Sequence, residues 1–172
     1  MRINFCILFS VFLSAQAGAA TLIDPANSGL LYTGRWDQSS PSEPWAQAKG
    51  SSLIAAFGGT RISAIFSATT TDYLRIIIDG DAASSEKIQI ASCADSCELA
   101  SELESGSSHT IEIIKETDVG RWTFHGFELN DGASISLPES LDPMVRRIVF
   151  YGDSNLAGYS LESEQNESGT AL

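Results

Sequence analysis

Ser154 closes a Gly152-Asp153-Ser154 turn directly after the apolar run Ile148-Val149-Phe150-Tyr151. A serine at the carboxyl end of a strand buried on both faces sits where open α/β sheets build their sites. The tight turn also aims backbone N–H groups at the space where the oxyanion of a tetrahedral intermediate forms. That is the chemistry of a serine nucleophile in acyl transfer, and it requires a base to take the hydroxyl proton. The chain holds two histidines, His109 and His125, both upstream in stretches that read as strands. Neither is expected to act as the base for Ser154.

Other residue types narrow the possibilities. Cys93 and Cys97 stand in the polar stretch Ser92-Cys93-Ala94-Asp95-Ser96-Cys97, which reads as a small-loop disulfide. A structural zinc site needs four ligands, and these thiols have no histidine nearby, so no metal is expected. Trp36, Trp45 and Trp122 could stack on sugar rings or fill a core. Trp36 and Trp122, inside apolar strands, read as core; Trp45, after Pro44 in a polar loop, is the candidate binding residue. Arg35 and Asp37 flank Trp36 and read as a solvated ion pair.

The elements that must position these groups begin after a leader. Arg2, the apolar run Ile7–Leu13 and the small residues Ala15 to Ala20 form a secretory signal peptide over 1–20, cleaved after Ala17 or Ala20. A buried N-terminal helix is the alternative, but the segment has no polar face for solvent. Cys6 leaves with the leader, so two cysteines remain in a chain bound for the periplasm or the exterior. With 22 acidic against 10 basic residues the net charge is −12, and losing Arg2 makes it one unit more negative. Such a surface disfavours nucleic acid and anionic lipid and leaves neutral substrates as easier partners. No later stretch is apolar enough to span a membrane.

Short apolar stretches separated by Gly, Asp, Asn and Ser follow, without helical periodicity. Strands are expected at 30–36, 52–57, 60–68, 73–79, 87–91, 109–116 and 122–130, with Gly58-Gly59 as a hairpin signal. Ile111 and Ile113 oppose Glu112. Strands at this spacing, with no helices between them, predict a mainly β, two-sheet sandwich over 21–136. A proline-bearing linker spans 137–144, and the strand leading to Ser154 opens a different, α/β kind of domain over 145–172. Asn166-Glu167-Ser168 is a glycosylation sequon that carries little weight.

The nonapeptide Tyr151-Gly152-Asp153-Ser154-Asn155-Leu156-Ala157-Gly158-Tyr159 resembles the first conserved block of the SGNH, or GDSL, hydrolases. It differs from the α/β-hydrolase elbow, because Leu156 stands where that motif has its second glycine. Upstream, Tyr32-Thr33-Gly34-Arg35-Trp36-Asp37, Gly50-Ser51, Phe57-Gly58-Gly59-Thr60, His109-Thr110-Ile111-Glu112 and Phe127-Glu128-Leu129 resemble the jelly-roll domain of carbohydrate esterase family two. The resemblance implies a jelly-roll β-sandwich ahead of a serine esterase that removes acetyl groups from polysaccharides such as xylan or glucomannan, without metal or organic cofactor. It casts Ser154 as nucleophile and its backbone N–H as part of the oxyanion hole. In that superfamily the histidine base, with the glycine and asparagine that complete the hole, lies in later blocks. The chain is therefore expected to be a truncated fragment, inactive as given. A non-catalytic carbohydrate-binding sandwich is the alternative, and a structural β-domain without ligand a third. The sequence sets no oligomeric state.

Overall fold

The computed structural model describes residues 20–93, 95–139 and Gly152. The leader up to residue 19, the linker beyond residue 139, the strand ahead of Ser154, Ser154 itself and the triplet 166–168 lie outside the described residues.

Twelve strands are described, and they form two antiparallel sheets. In chain order they are β1 (Thr21–Ile23), β2 (Leu31–Thr33), β3 (Trp36–Asp37), β4 (Trp45–Ala46), β5 (Ser52–Gly58), β6 (Ile62–Ala68) and β7 (Tyr73–Ile78), then β8 (Glu86–Gln89), β9 (Cys97–Ala100), β10 (Ser108–Lys115), β11 (Trp122–Leu129) and β12 (Ile135–Ser136). One sheet runs β3-β4-β11-β6-β9 with β1 beside β11, and the other runs β12-β5-β10-β7-β8 with β2 beside β5. From β5 onward the chain mostly alternates between the sheets. The mainly β sandwich expected from the strand pattern is what forms.

Period-two patterning sets the inner faces. In β10 the residues His109, Ile111, Ile113 and Lys115 are buried, while Thr110, Glu112 and Ile114 between them are half-buried. In β5, Leu53, Ala55 and Phe57 turn inward against them. An aromatic series with edge-to-face or tilted rings starts at Tyr32 on β2 and continues through the opposite sheet. Tyr32 meets Trp36 and Trp36 meets Trp122, each at 4.8 Å between centroids; Phe66 touches both Trp122 and Phe124, and Phe124 meets Phe127 at 4.8 Å. Each large apolar side chain buried completely stabilises the fold by about 1.5–3 kcal/mol, so Trp122, Phe124 and Phe127 anchor this layer.

Three local expectations are corrected. Residues 30–36 do not form one strand: β2 joins the β5 sheet and β3 the β4 sheet, with the switch at Gly34. Gly34 has φ +83°, and a Cβ there would lie 2.9 Å from the Ser51 Cα, so only glycine allows the chain to change layers at this point. Gly58-Gly59 is not a hairpin turn, because β5 and β6 belong to different sheets and the diglycine carries the chain over the sandwich edge. The strand expected at 87–91 ends at Gln89, and a 3-10 turn, Ile90–Ser92, follows it. That turn leads to the Cys93–Cys97 disulfide, whose Cα atoms are 5.0 Å apart at the start of β9.

The core also holds charge. Lys115 and Asp72 are both buried, and the Lys115 ammonium lies 2.6 and 2.7 Å from the two carboxylate oxygens of Asp72. It also donates to Thr117 Oγ1 at 2.9 Å and to the Val119 carbonyl at 3.2 Å, and the Thr117 hydroxyl donates to Asp72. Burial pushes the Asp72 carboxyl up and the Lys115 ammonium down in pKa, and in each case the partner opposes the shift. Beside this pair, Glu116 takes Arg75 on one oxygen and Lys87 at 3.3 Å on the other.

Removing one member of the buried pair strands the other. Lys115→Met is expected to lower unfolding free energy by about 3–5 kcal/mol, whereas Lys115→Met with Asp72→Leu costs less than either change alone. Urea denaturation of the three variants checks this, and equal midpoints for Lys115→Met and the parent would refute it.

Candidate functional site

Of the Gly-Asp-Ser turn only Gly152 is described, and it is exposed. Ser154 therefore has no described geometry, but the histidines do. His109 Nδ1 lies 2.8 Å from Asp79 Oδ2 and its Nε2 lies 3.0 Å from the Glu104 carbonyl. Both partners are acceptors, so both ring nitrogens donate and the imidazolium is the form the site favours. Asp79 first and the Glu104 carbonyl second raise the pKa of this ring above its ordinary value. A ring with both nitrogens donating offers no lone pair to a serine. Asp79 is itself fixed by the Thr110 amide at 2.7 Å.

His125 lies on β11 where the register with β6 shifts, and its Nε2 is 2.8 Å from Ser67 Oγ. This is a serine–histidine contact, yet among the described residues no carboxylate holds the other ring nitrogen. Without that orienting group the pair lacks the third member of a nucleophilic triad.

Among the depressions on the sandwich surface, two are the most spacious. The larger, about 600 Å³, lies where Leu137, Pro138 and Glu139 leave the β5 sheet, over Ile54, Ile77 and Glu112. The other, about 520 Å³, contains the candidate Trp45 together with Trp36, Arg35, Asp37, Gln47 and Asp118. Trp45 is half-buried on β4, and the Arg121 guanidinium lies 4.8 Å from its ring centre. Trp36, read from the sequence as core, is half-buried; its indole N–H donates to the Thr33 and Ser52 carbonyls at 3.1 Å, and its edge is exposed to the groove. Trp122 is wholly core. Arg35 and Asp37 do not pair: Asp37 accepts from the Ser39 amide at 2.9 Å, and hydrogen bonds from Ser39 hold its carboxyl below the usual range.

Sequence reasoning missed Asp118 and Arg121. Both come from the loop between β10 and β11, which is pinned by Lys115 donating to the Val119 carbonyl and by the Thr69 amide donating to the Arg121 carbonyl, with the Thr69 hydroxyl accepting from the Arg121 amide. Gly120, at φ +77°, packs where a Cβ would collide with the Thr70 hydroxyl. One Asp118 carboxylate oxygen is buried with no hydrogen-bond partner among the described residues.

Known proteins were compared with this chain. The family model described as Carbohydrate esterase 2 N-terminal matches residues 32–138. The cellulase/esterase CelE of Acetivibrio thermocellus is 30% identical over 146 residues, 84% of this chain and 17% of that protein. A family two carbohydrate esterase from Clostridium thermocellum, solved in complex with cellohexaose, superposes with a TM-score of 0.63 at 28% identity, over 77% of this chain and 39% of its own. A family two carbohydrate esterase from Cellvibrio japonicus shares the fold with a TM-score of 0.71 at 20% identity, over 89% of this chain and 45% of its own. The chain spans less than half the length of each.

The His109 contacts carry a sign for pH. A folded pKa above the unfolded one adds stability that is complete below the unfolded value, roughly 6.5, and is lost as pH rises through the folded value. The urea midpoint is therefore expected to fall across that window, and Asp79→Asn to flatten the fall. Parallel midpoint-against-pH curves for the two proteins would contradict the assignment.

Proposed function

The chain belongs to the carbohydrate esterase 2 N-terminal family, and from that premise we propose that it supplies the sandwich and the nucleophile block of an exported serine esterase that deacetylates neutral polysaccharides of the xylan or glucomannan type. The observation that carries this reading is the order along the chain: the family match ends at residue 138, and the Gly152-Asp153-Ser154 turn follows a short linker later. Two supports stand beside it. The relative from Clostridium thermocellum was solved with a β-linked glucose oligomer, and the Cys93–Cys97 disulfide suits an oxidising compartment outside the cytoplasm.

In the proposed organisation 1–20 is the leader, 21–136 the sandwich, 137–144 the linker and 145–172 the opening of the catalytic domain. Ser154 Oγ attacks the acetyl carbonyl, the backbone N–H of Ser154 helps hold the oxyanion, and the sugar hydroxyl leaves with a proton. Water then attacks the acyl-serine and releases acetate. This route needs no metal and no organic cofactor. The proton must pass to a base that neither His109 nor His125 provides, since both hold other partners in the sandwich. The 172 residues alone are therefore expected to turn over acetyl esters negligibly.

Acetate release from acetylated xylan and acetylated glucomannan, measured with the product of the complete reading frame, tests the reading. Ser154→Ala is expected to reduce the rate by about 10⁴–10⁶-fold. Undiminished release by that variant would sink it.

A further inference from the structure

The groove at Trp45 is lined by sandwich residues, and its composition asks for a ligand. Its walls combine apolar ring surface from Trp45 and Trp36 with hydrogen-bonding groups from Asp37, Gln47 and Asp118. At about 520 Å³ it falls within the size range of small-molecule sites. We propose that this groove is a saccharide subsite on the sandwich, which grips a neutral pyranose segment of the polysaccharide by stacking on Trp45 and by accepting hydrogen bonds from sugar hydroxyls at Asp118.

Three observations point to a neutral sugar. Cations and anions are balanced around the ring, with Arg35 and Arg121 against Asp37 and Asp118, in a chain whose net charge is −12; a uronate polymer would meet no net attraction there. The aromatic surface suits the C–H face of a pyranose. Asp118 lines the groove, and its carboxylate offers an acceptor for the hydroxyls of a neutral sugar. Asp37, held ionised by its Ser39 hydrogen bonds, is a second acceptor at the rim.

The groove is also fixed in shape before any ligand arrives. Arg121 sets the plane of Trp45 from one side. The 117–121 loop, which carries Asp118 and Arg121, is tied to Lys115 and to Thr69. Trp36 is locked by two carbonyls and by Trp122. Little conformational freedom is lost on binding to such a surface, which favours affinity from a small contact area.

The proposal rests on the polysaccharide reading above but not on ester chemistry, so its test uses sugars without acetyl groups. The purified chain is titrated with cellohexaose, xylohexaose and mannohexaose, and with an oligogalacturonate as the anionic comparison, by calorimetry and tryptophan fluorescence. At least one neutral hexaose is expected to bind, and Trp45→Ala and Asp118→Ala each to weaken it about tenfold or more. The near-UV circular dichroism and urea midpoint should match the parent. If Trp45→Ala fails to fold, Asp118→Asn carries the comparison with the same expectation.

Absence of binding to all three neutral sugars overturns the proposal. So does wild-type affinity in the folded variants, or equal binding of the oligogalacturonate. Sugar binding by the chain, together with no acetate release from the product of the complete reading frame, removes the esterase reading and leaves the groove in place. Acetate release without binding in the groove does the reverse.

Discussion

A lysine ammonium and an aspartate carboxylate share the interior of this sandwich, and much of one surface depends on their meeting. Neither charge is tolerable alone in that environment, because desolvation of each is costly and only the partner offsets it. The pair also accounts for spare hydrogen-bonding capacity by enlisting Thr117 and the Val119 carbonyl. The β10–β11 loop is therefore fastened to the core from beneath. An apolar pair of equal volume would fill the same space, but it could not hold a backbone carbonyl. Stability and loop position are thus two consequences of one contact.

That fastening links the core to the groove. Arg121 leaves the loop to cover one side of Trp45, and Asp118 enters the groove from the same loop. On the far wall the half-buried Trp36 belongs to an aromatic series that runs on through Trp122, Phe66 and Phe124 to Phe127 deep in the sandwich. Both walls are therefore continuous with well-packed interior. This differs from the larger depression at the linker, whose floor is the outer surface of a sheet and whose rim is the departing chain. The larger depression includes the first linker residues, Leu137 to Glu139; the groove at Trp45 is lined by sandwich residues.

The sheets were legible because alternation survives in the long central strands. Ile111 and Ile113 announce the inward face of β10, and the same count of two places Lys115 inward as well. Its partner could not be read, since Asp72 is 43 residues away and nothing local marks it as buried. The two-residue strands β3, β4 and β12 carry no period at all. Residues 30–36 misled for a physical reason: both layers bury apolar side chains, so a strand that changes layers keeps an unbroken apolar pattern. Trp45 stood out because it follows a proline in polar surroundings, but the loop that completes its groove arrives more than seventy positions later. The Gly152-Asp153-Ser154 block stands in the sequence but outside the described residues, save Gly152, and the family match over 32–138 agrees with the jelly-roll resemblance upstream of it.

The crossing at Gly34 has a mechanical corollary. Because seven consecutive residues belong first to one layer and then to the other, the two sheets are stitched by covalent backbone near the middle of the Trp36–Trp122 contact. Sliding one layer over the other would have to break β2 from β5 or β3 from β4 at once. The backbone itself thus resists sliding of the two layers, in addition to the side chains packed between them.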